Sequence, residues 1–189
     1  MLRTEKDVCM AIEADPQMMA VLHAVKQLQL PDSWVAAGFV RGKVWDLQHG
    51  YTTKTELPDV DVVYFDAECV AEAIEKVMEH KLREWLPDVP WSVKNQARMH
   101  LVNGFSPYHS TENAIAHYPE TATAIAVRLD ERNRVELLAP LGIDDAIQLK
   151  LRPTPSYWET GEQYKRFKQR LTQKNWRKKW PNVEEIIVE

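Results

Sequence analysis

The clearest strand signal in the 189-residue chain is Asp59-Val60-Asp61-Val62-Val63-Tyr64-Phe65. β-Branched and aromatic side chains favour strands, and here they form a run bounded by Pro58 and Asp66. Asp59 and Asp61 are two residues apart, so both carboxylates point to the same face of an extended chain. The segment therefore predicts a mostly apolar strand, buried on both faces, that carries a pair of acids at its start.

Paired carboxylates on one face of a strand are typical of a metal site. Two neighbouring carboxylates repel each other unless a cation neutralises them or one is protonated. Mg²⁺, or Mn²⁺ in its place, binds carboxylate oxygens together with substrate phosphates, and phosphoryl-type transfer uses such an ion. In the alternative interpretation, Asp59 is a turn residue after Pro58 and Asp61 is a solvent-facing strand residue. The apolar neighbours of Asp61 favour the metal site, because an unpaired buried carboxylate is costly.

A second signal lies upstream of this strand. The short apolar run Trp34-Val35-Ala36-Ala37 ends at Gly38, which predicts a buried strand followed by a turn. Apolar residues then recur at helical spacing, at Val40, Val44 and Leu47, so a helix is expected to begin just past the glycine. The N–H groups at a helix N-terminus bind phosphate, and glycine lets a ligand approach the backbone closely. We therefore expect Gly38 to lie at a phosphate-binding turn.

Two cations follow the glycine. Arg41 and Lys43 lie in the first turns of the predicted helix and can add positive charge to a phosphate site. They point in different directions on a helix, so both are not expected to reach one ligand. The alternative for each is a solvated helix residue. Arg41 is the candidate nucleotide contact of the two.

The segment Trp91–Leu101 fits two interpretations. Apolar and polar residues alternate along it, which favours a strand, but Ser92 can also cap a helix that ends at Asn103-Gly104. We predict a strand. It carries Arg98, whose guanidinium matches phosphate oxygens and makes it a candidate nucleotide contact. It also carries Asn95, which on the apolar face is more typical of a hydrogen-bonded core residue than of a ligand.

Helix and strand signals alternate along the rest of the chain. Two helices are predicted within residues 1–30, and a long one over Ala67–Leu86 with Asp66 as its cap. Residues 124–139 predict a hairpin, and a short helix near Asp144–Leu149 precedes a basic C-terminal helix.

These elements predict a mixed α/β fold, in which helices cover one sheet and a hairpin and a helix form a C-terminal extension. The length fits one domain over residues 1–189: a helical segment at 1–30, a core with the glycine turn and acid pair at 31–104, and the extension at 105–189. A chain of this size folds without staples, so we expect the two cysteines to be reduced thiols.

Composition limits the compartment and the partners. The N-terminus lacks the apolar segment of a secretory signal, and no stretch approaches the length of a membrane helix. We therefore expect a cytoplasmic protein that does not bind membranes. The net charge of −4 argues against bulk binding of nucleic acid. The exception is the segment from Lys165 to Lys179, which is rich in cations and has no acid.

Tryptophans are interleaved with these cations, at Trp158, Trp176 and Trp180. Aromatic residues among cations can stack on bases and hold phosphates. More often, such tryptophans dock an amphipathic helix while the lysines face water. We predict docking.

Several stretches carry a resemblance to a known family. They are Ala37–Asp46, Asp59–Asp66, Val93–His100, Pro119–Ala124 and Arg152–Pro155. Together they resemble a bacterial nucleotidyltransferase-like family of the polymerase-β-like nucleotidyltransferase superfamily. The resemblance covers nearly the whole chain.

The resemblance implies roles for particular residues. The superfamily is known for a glycine-led turn, two carboxylates on one strand and a third on a neighbouring strand. Gly38 matches the turn, although Phe39 follows it where Gly or Ser is usual, and Asp59 and Asp61 match the pair. The third carboxylate is missing from the expected place, so Asn95 or an acid from elsewhere would have to serve.

The implied activity is transfer of a nucleoside monophosphate from an NTP to an acceptor hydroxyl, with Mg²⁺ or Mn²⁺. Small antibiotics, proteins and RNA ends all serve as acceptors in the superfamily. The missing carboxylate and the basic C-terminal segment support an alternative: a catalytically inactive protein on the same fold that binds a nucleotide or RNA.

Overall fold

The computed structural model describes residues 1–158 and 161–187. Two helices open the chain, α1 over Glu5–Glu13 and α2 over Pro16–Gln27, as predicted. Thr4 and the acid three residues after it cap α1 reciprocally. The carboxylate of Asp15 caps α2 by accepting hydrogen bonds from two backbone N–H groups of its first turn.

A five-stranded mixed sheet forms the centre of the fold. Its strands are, in chain order, β1 Trp34–Ala36, β2 Val60–Tyr64, β3 Trp91–Asn95, β4 Ala126–Leu129 and β5 Val135–Leu138. Their spatial order is β3-β2-β1-β4-β5, with β2 and β3 parallel and the other neighbours antiparallel. The predicted mixed α/β fold is therefore confirmed. The predicted hairpin is β4–β5, and it lies inside this sheet because β4 pairs with β1.

Helices and short elements surround the sheet. The longer helices are α3 Gly38–Gln48, α4 Glu72–Trp85, α5 Gln96–Asn103 and α9 Gly161–Lys174. The shorter ones are α6 Thr111–Ala116, α7 Asp144–Ile147, α8 Pro155–Trp158 and two 3-10 turns at Thr121–Thr123 and Trp176–Lys178. A separate parallel pair joins β6 Lys150–Leu151 to β7 Glu184–Glu185. Within the part of the chain that is described, no helix has the length and apolarity to cross a membrane.

Two predicted elements differ from the structure. The helix expected over Ala67–Leu86 begins only at Glu72. The carboxylate of Asp66 accepts hydrogen bonds from the N–H groups of Glu68 and Cys69, and this stabilises a turn rather than the first turn of a helix. The segment Trp91–Leu101 is not one strand: it is a strand up to Asn95 and a helix after it. The side chain of Asn95 caps that helix by accepting a hydrogen bond from the N–H of Ala97.

The two faces of β2 differ, as the period of a strand requires. Val60, Val62 and Tyr64 belong to the main apolar core with α1, α2 and α3, whereas Val63 belongs to a smaller cluster on the other face. Asp61 lies on that second face and is half-buried, while the four other residues of the strand are buried. The acid thus interrupts a strand that is covered on both faces, as the sequence indicated.

The C-terminal tryptophans dock the end of the chain onto α3. Trp176 and Trp180 are buried, and both rings contact Trp45 edge-on. The indole N–H of Trp180 also donates a hydrogen bond of 2.7 Å to Asp46. Docking is therefore confirmed for these two, whereas Trp158 is 46% exposed.

Candidate active site

The pairing of β1 and β2 brings the glycine turn to the acid pair. The two strands are antiparallel, and Ala36 at the end of β1 lies opposite Asp61 near the start of β2. The chain then turns through Ala37, which has a positive φ of 52°, and Gly38 begins α3. A positive φ is strained for alanine, and such strain is often found at functional turns. The N-terminus of α3 therefore lies beside the two carboxylates, where β1 ends and β2 begins.

The acids themselves are close enough to influence each other. Asp59 lies just before β2, and both it and Asp61 are half-buried. Burial, and next the charge of Asp59, raise the pKa of Asp61 to about 6, although the hydroxyl of Ser92 on β3 opposes this shift. Such a pair fits a hard divalent cation, because two carboxylates supply oxygen ligands and charge while leaving room for water and phosphate.

A third acidic ligand does not complete this pair. Among residues 1–158 and 161–187, no group of three or more Asp, Glu, His or Cys side chains is arranged to hold a metal. Asn95 is buried, and its amide bonds the backbone of Asp66, Cys69 and Ala97. Asn95 is thus a hydrogen-bonded core residue, and the part of the chain that the structure describes offers two carboxylates for a metal site here.

Arg41 is the most unusual cation of the site. Its side chain is only 6% exposed and lies against three indole rings, 4.9 to 5.5 Å from the centroids of Trp45, Trp176 and Trp180. A Cβ placed on Gly38 would lie 3.6 Å from its guanidinium, so the charge is beside the glycine turn. Among the described residues it has no salt bridge, and its buried Nε has no hydrogen-bond partner.

Burial lowers the pKa of Arg41 to about 10, despite the opposing attraction of Glu120 and of the acid pair. The guanidinium therefore stays charged at neutral pH. A buried charge without a bonded counterion is costly. Such a cation beside a glycine turn and a helix N-terminus fits an anionic ligand.

The other predicted cations have partners of their own. Lys43 forms a salt bridge of 2.9 Å with Asp15, away from Arg41, as expected for two residues on different sides of a helix. Arg98 lies on α5 and binds the buried Glu75 with two parallel hydrogen bonds of 2.6 and 2.7 Å. A phosphate at Arg98 would have to compete with this ion pair.

The C-terminal helix supplies residues that sequence reasoning missed. Arg170 and Lys174 of α9 interact electrostatically with Asp61, and Arg170 binds Glu120 at 2.6 Å. Glu120 is fully buried and belongs to the segment Pro119–Ala124, which the sequence singled out without giving it a role. Apart from the family resemblance of that segment, no sequence pattern pointed to Glu120.

A separate cavity lies beside α2 and α3. It has a volume of about 770 Å³ and is lined by residues of α2, α3 and the loop that leads to β2. Neither carboxylate lines it, and Val60 contributes from the core face of its strand. The cavity is therefore separate from the acid pair.

Comparisons with known proteins show which family and fold the chain resembles. The family described as nucleotidyltransferase matches residues 23–184. An NMR structure described as revealing a CCA-adding enzyme head domain is 34% identical, with a TM-score of 0.89, over 99% of this chain and 98% of that one. No curated protein matches the chain.

Two larger enzymes share the fold at low identity. The Thermotoga maritima CCA-adding enzyme complexed with tRNA has a TM-score of 0.57 and 14% identity, and the match covers 98% of this chain and 43% of that one. A CCA-adding enzyme with ATP has a TM-score of 0.53 and 16% identity, over 92% and 42%. Since the family match extends over most of the sequence, the chain belongs to the nucleotidyltransferase family.

Proposed function

We propose that this protein transfers a nucleoside monophosphate from an NTP to an acceptor hydroxyl, with Mg²⁺ or Mn²⁺ held by Asp59 and Asp61. The observation that carries the proposal is the placement of Arg41. It is a buried cation that has no bonded counterion among residues 1–158 and 161–187, and it lies beside the glycine turn and within electrostatic range of both acids. A metal-bound triphosphate brings a cation to the acids and an anion to the arginine.

The acid pair fits the cation by its donor set. Both groups are carboxylates, and the raised pKa of Asp61 reflects burial and repulsion that a bound cation relieves. When bound, Mg²⁺ supplies charge stabilisation on the phosphates and activation of the attacking oxygen.

The glycine turn fits the phosphates. In the first turn of α3, Val40 and Arg41 donate their N–H groups to the carbonyl of Ala37. The N–H groups of Gly38 and Phe39 precede these first helical donors, so they are the ones available to phosphate oxygens. The charge of Arg41, beside the turn, adds to this attraction. The three indole rings around the guanidinium hold it in place. Arg41 then stabilises charge on the transferred group, as fixed donors do in other phosphoryl-transfer sites.

The acceptor has three candidate classes: a small molecule, a protein or an RNA. The similar solved enzymes are described as CCA-adding, and one of them is complexed with tRNA. An RNA end is therefore the first acceptor to offer. The exposed cations of α9 beside Asp61 suit a polyanionic acceptor.

A second candidate rests on the two-carboxylate site. A non-catalytic protein on this fold would bind a nucleotide or RNA and transfer nothing, because weaker control of the metal slows chemistry more than binding. Asp61→Asn separates the two candidates. It abolishes transfer by an enzyme, whereas it leaves the RNA affinity of a binding protein unchanged.

Calorimetric titration of the protein with each NTP tests the proposed site. We expect one or more NTPs to bind in the presence of Mg²⁺ and to raise the melting temperature by mass action. Asp61→Asn should weaken this binding, whereas the control Glu56→Gln should not, because it removes the same charge from an exposed side chain of the loop that leads to β2. If no NTP binds with Mg²⁺ or Mn²⁺, the proposal is wrong.

A further inference from the structure

A buried ion pair joins the C-terminal helix to the candidate site. Glu120 is fully buried, and its two carboxylate oxygens have different partners. Oε2 accepts a hydrogen bond of 2.8 Å from the hydroxyl of Thr123, and Oε1 accepts one of 2.6 Å from Nε of Arg170. The charge of Glu120 is therefore held at one end by the 3-10 turn and at the other by α9.

The geometry of this pair differs from that of another buried pair, Arg98 and Glu75. Arg98 and Glu75 form two parallel hydrogen bonds, in which Nε and one terminal nitrogen of the arginine bind both carboxylate oxygens. Arg170 binds its carboxylate through Nε alone. Its two terminal nitrogens have no hydrogen-bond partner in the described part of the chain, and its side chain is 35% exposed.

These unused donors lie beside Arg41. The guanidinium carbons of Arg41 and Arg170 are 5.2 and 5.7 Å from the centroid of the same indole ring, that of Trp176. Each also interacts electrostatically with Asp61. Two guanidinium groups thus share one neighbourhood, and the only carboxylate hydrogen-bonded to either of them in the described structure is Glu120.

We infer that Arg170 is a second phosphate-binding residue and that Glu120 is the positioning residue that aims it at the triphosphate. The inference deepens the proposed function and rests on it, because it assigns the ligand of Arg170 to the same nucleotide. Arginine suits this role, since its planar donors match phosphate oxygens. Because Glu120 binds only Nε of Arg170, the two terminal nitrogens of the guanidinium remain available to the ligand. The helix α9 is then part of the active site.

The ligand class follows from the charges. Arg41, Arg170 and Lys174 face the two aspartates and Glu120, so cations and anions balance in the free protein. A divalent cation at the aspartates adds positive charge, which a polyphosphate offsets. A neutral ligand would leave that charge uncompensated.

Titration with inorganic tripolyphosphate in the presence of Mg²⁺ tests the inference without a known nucleotide or acceptor. Arg170→Gln should raise Kd about tenfold, which is the loss of one charge-assisted contact. Glu120→Gln should raise it several-fold, because the arginine is still present but no longer held. The control is Arg166→Gln, which removes an arginine of the same helix that pairs with Glu162 and should change Kd less than about twofold.

Titrations at a temperature where every variant is folded by circular dichroism separate binding from stability. Equal Kd values for Arg170→Gln, Arg166→Gln and the unchanged protein would overturn the inference and leave a purely structural ion pair. Absence of tripolyphosphate binding by the unchanged protein would overturn it as well. If Arg170→Gln does not fold, Glu120→Gln and Arg170→Lys decide: an unchanged Kd in both contradicts the inference.

Failure of the proposed function looks different. Binding that depends on Arg170, with no nucleotide transfer to any acceptor, refutes catalysis and keeps the phosphate-binding role. Transfer that is insensitive to Arg170→Gln keeps catalysis and refutes the role of Arg170.

Discussion

Asp61 lies directly opposite Ala36 in the antiparallel pair of β1 and β2. This pairing places the second carboxylate two residues from Gly38 across the sheet, although the chain between them runs through the whole of α3. The positions of Asp61 and of the glycine turn are thus fixed relative to each other by the backbone hydrogen bonds of the sheet. A site on rigid elements holds its geometry before the ligand arrives.

Asp61→Asn should stabilise the free protein while it abolishes transfer. Burial and the charge of Asp59 raise the pKa of Asp61 from 3.8 to about 6. The folded state therefore binds this proton more tightly, and the ionised group costs stability above pH 6, a cost that disappears below pH 3.8. Allowing for partial exposure, the cost is about 1–2 kcal/mol at pH 7.5, so Tm should rise by about 2–6 °C.

Differential scanning calorimetry without divalent ions measures this effect. The exposed Glu56→Gln is the control for loss of a charge and should leave Tm within about 1 °C. A lower Tm for Asp61→Asn would show that the carboxylate has a stabilising partner in the free protein, against the present account.

Local patterns were sufficient to predict most of the strands, turns and helices that form the candidate site. The acid pair, the glycine turn and the helix after it are each encoded within a few neighbouring residues, by β-branched runs, spacing and a glycine. The change from strand to helix at Asn95 was missed because a single alternating pattern was applied to the whole of Trp91–Leu101. The strand and the helix in it have different side-chain periods. Asn95 caps α5 with the same amide that binds the backbone of Asp66, and that second contact is set by tertiary structure.

Arg98→Gln should destabilise the protein without weakening nucleotide binding. The substitution leaves the buried Glu75 with Lys94 at 3.4 Å as its remaining cation. Removing one partner of a buried ion pair lowers the free energy of unfolding by about 3–5 kcal/mol. The loss is smaller here to the extent that Lys94 still neutralises Glu75. Urea unfolding measures the loss, and Arg83→Gln, at an exposed arginine of α4, is the control. A tenfold loss of NTP affinity with unchanged stability would instead establish the phosphate role that the sequence suggested.

The contribution of α9 was beyond sequence reasoning for a different reason. Glu120 and Arg170 are fifty residues apart, and nothing local indicates that a basic helix turns one arginine toward a buried acid. The basic segment was expected to face water, and most of its lysines do. Which cation faces inward depends on how Trp176 and Trp180 dock the end of the chain.

Trp180→Phe tests that docking. The indole of Trp180 donates to Asp46, whose other hydrogen bonds come from Thr55. Phenylalanine keeps most of the apolar contact but removes the donor, so the free energy of unfolding should fall by about 1–3 kcal/mol. Trp158→Phe, at an exposed position, should change it by less than about 0.5 kcal/mol. Equal effects of the two substitutions would contradict the docking of the C-terminus through Asp46.

Stability in acid should depend on Asp15. Burial alone would raise its pKa, but hydrogen bonds from Lys54 and Lys43 outweigh it and lower the pKa from 3.8 to about 2. A depressed pKa adds stability above pH 3.8 that is lost as pH falls toward 2. Asp15→Asn, which can still cap α2, should therefore cost about 2 kcal/mol at pH 7 and about half of that at pH 3. A difference that stays constant between pH 7 and pH 3 in urea unfolding would refute the role of the two lysines.

Transfer of label from α-³²P-NTPs tests the central claim most directly. The protein is incubated with each NTP and Mg²⁺ or Mn²⁺, and with separate pools of RNA, protein and small molecules as acceptors. We predict that label enters one pool only when a divalent ion is present, and that Asp61→Asn abolishes its incorporation while Glu56→Gln does not. Incorporation that is equal in Asp61→Asn, or absent from every pool although the nucleotide binds, would contradict nucleotidyl transfer at this acid pair.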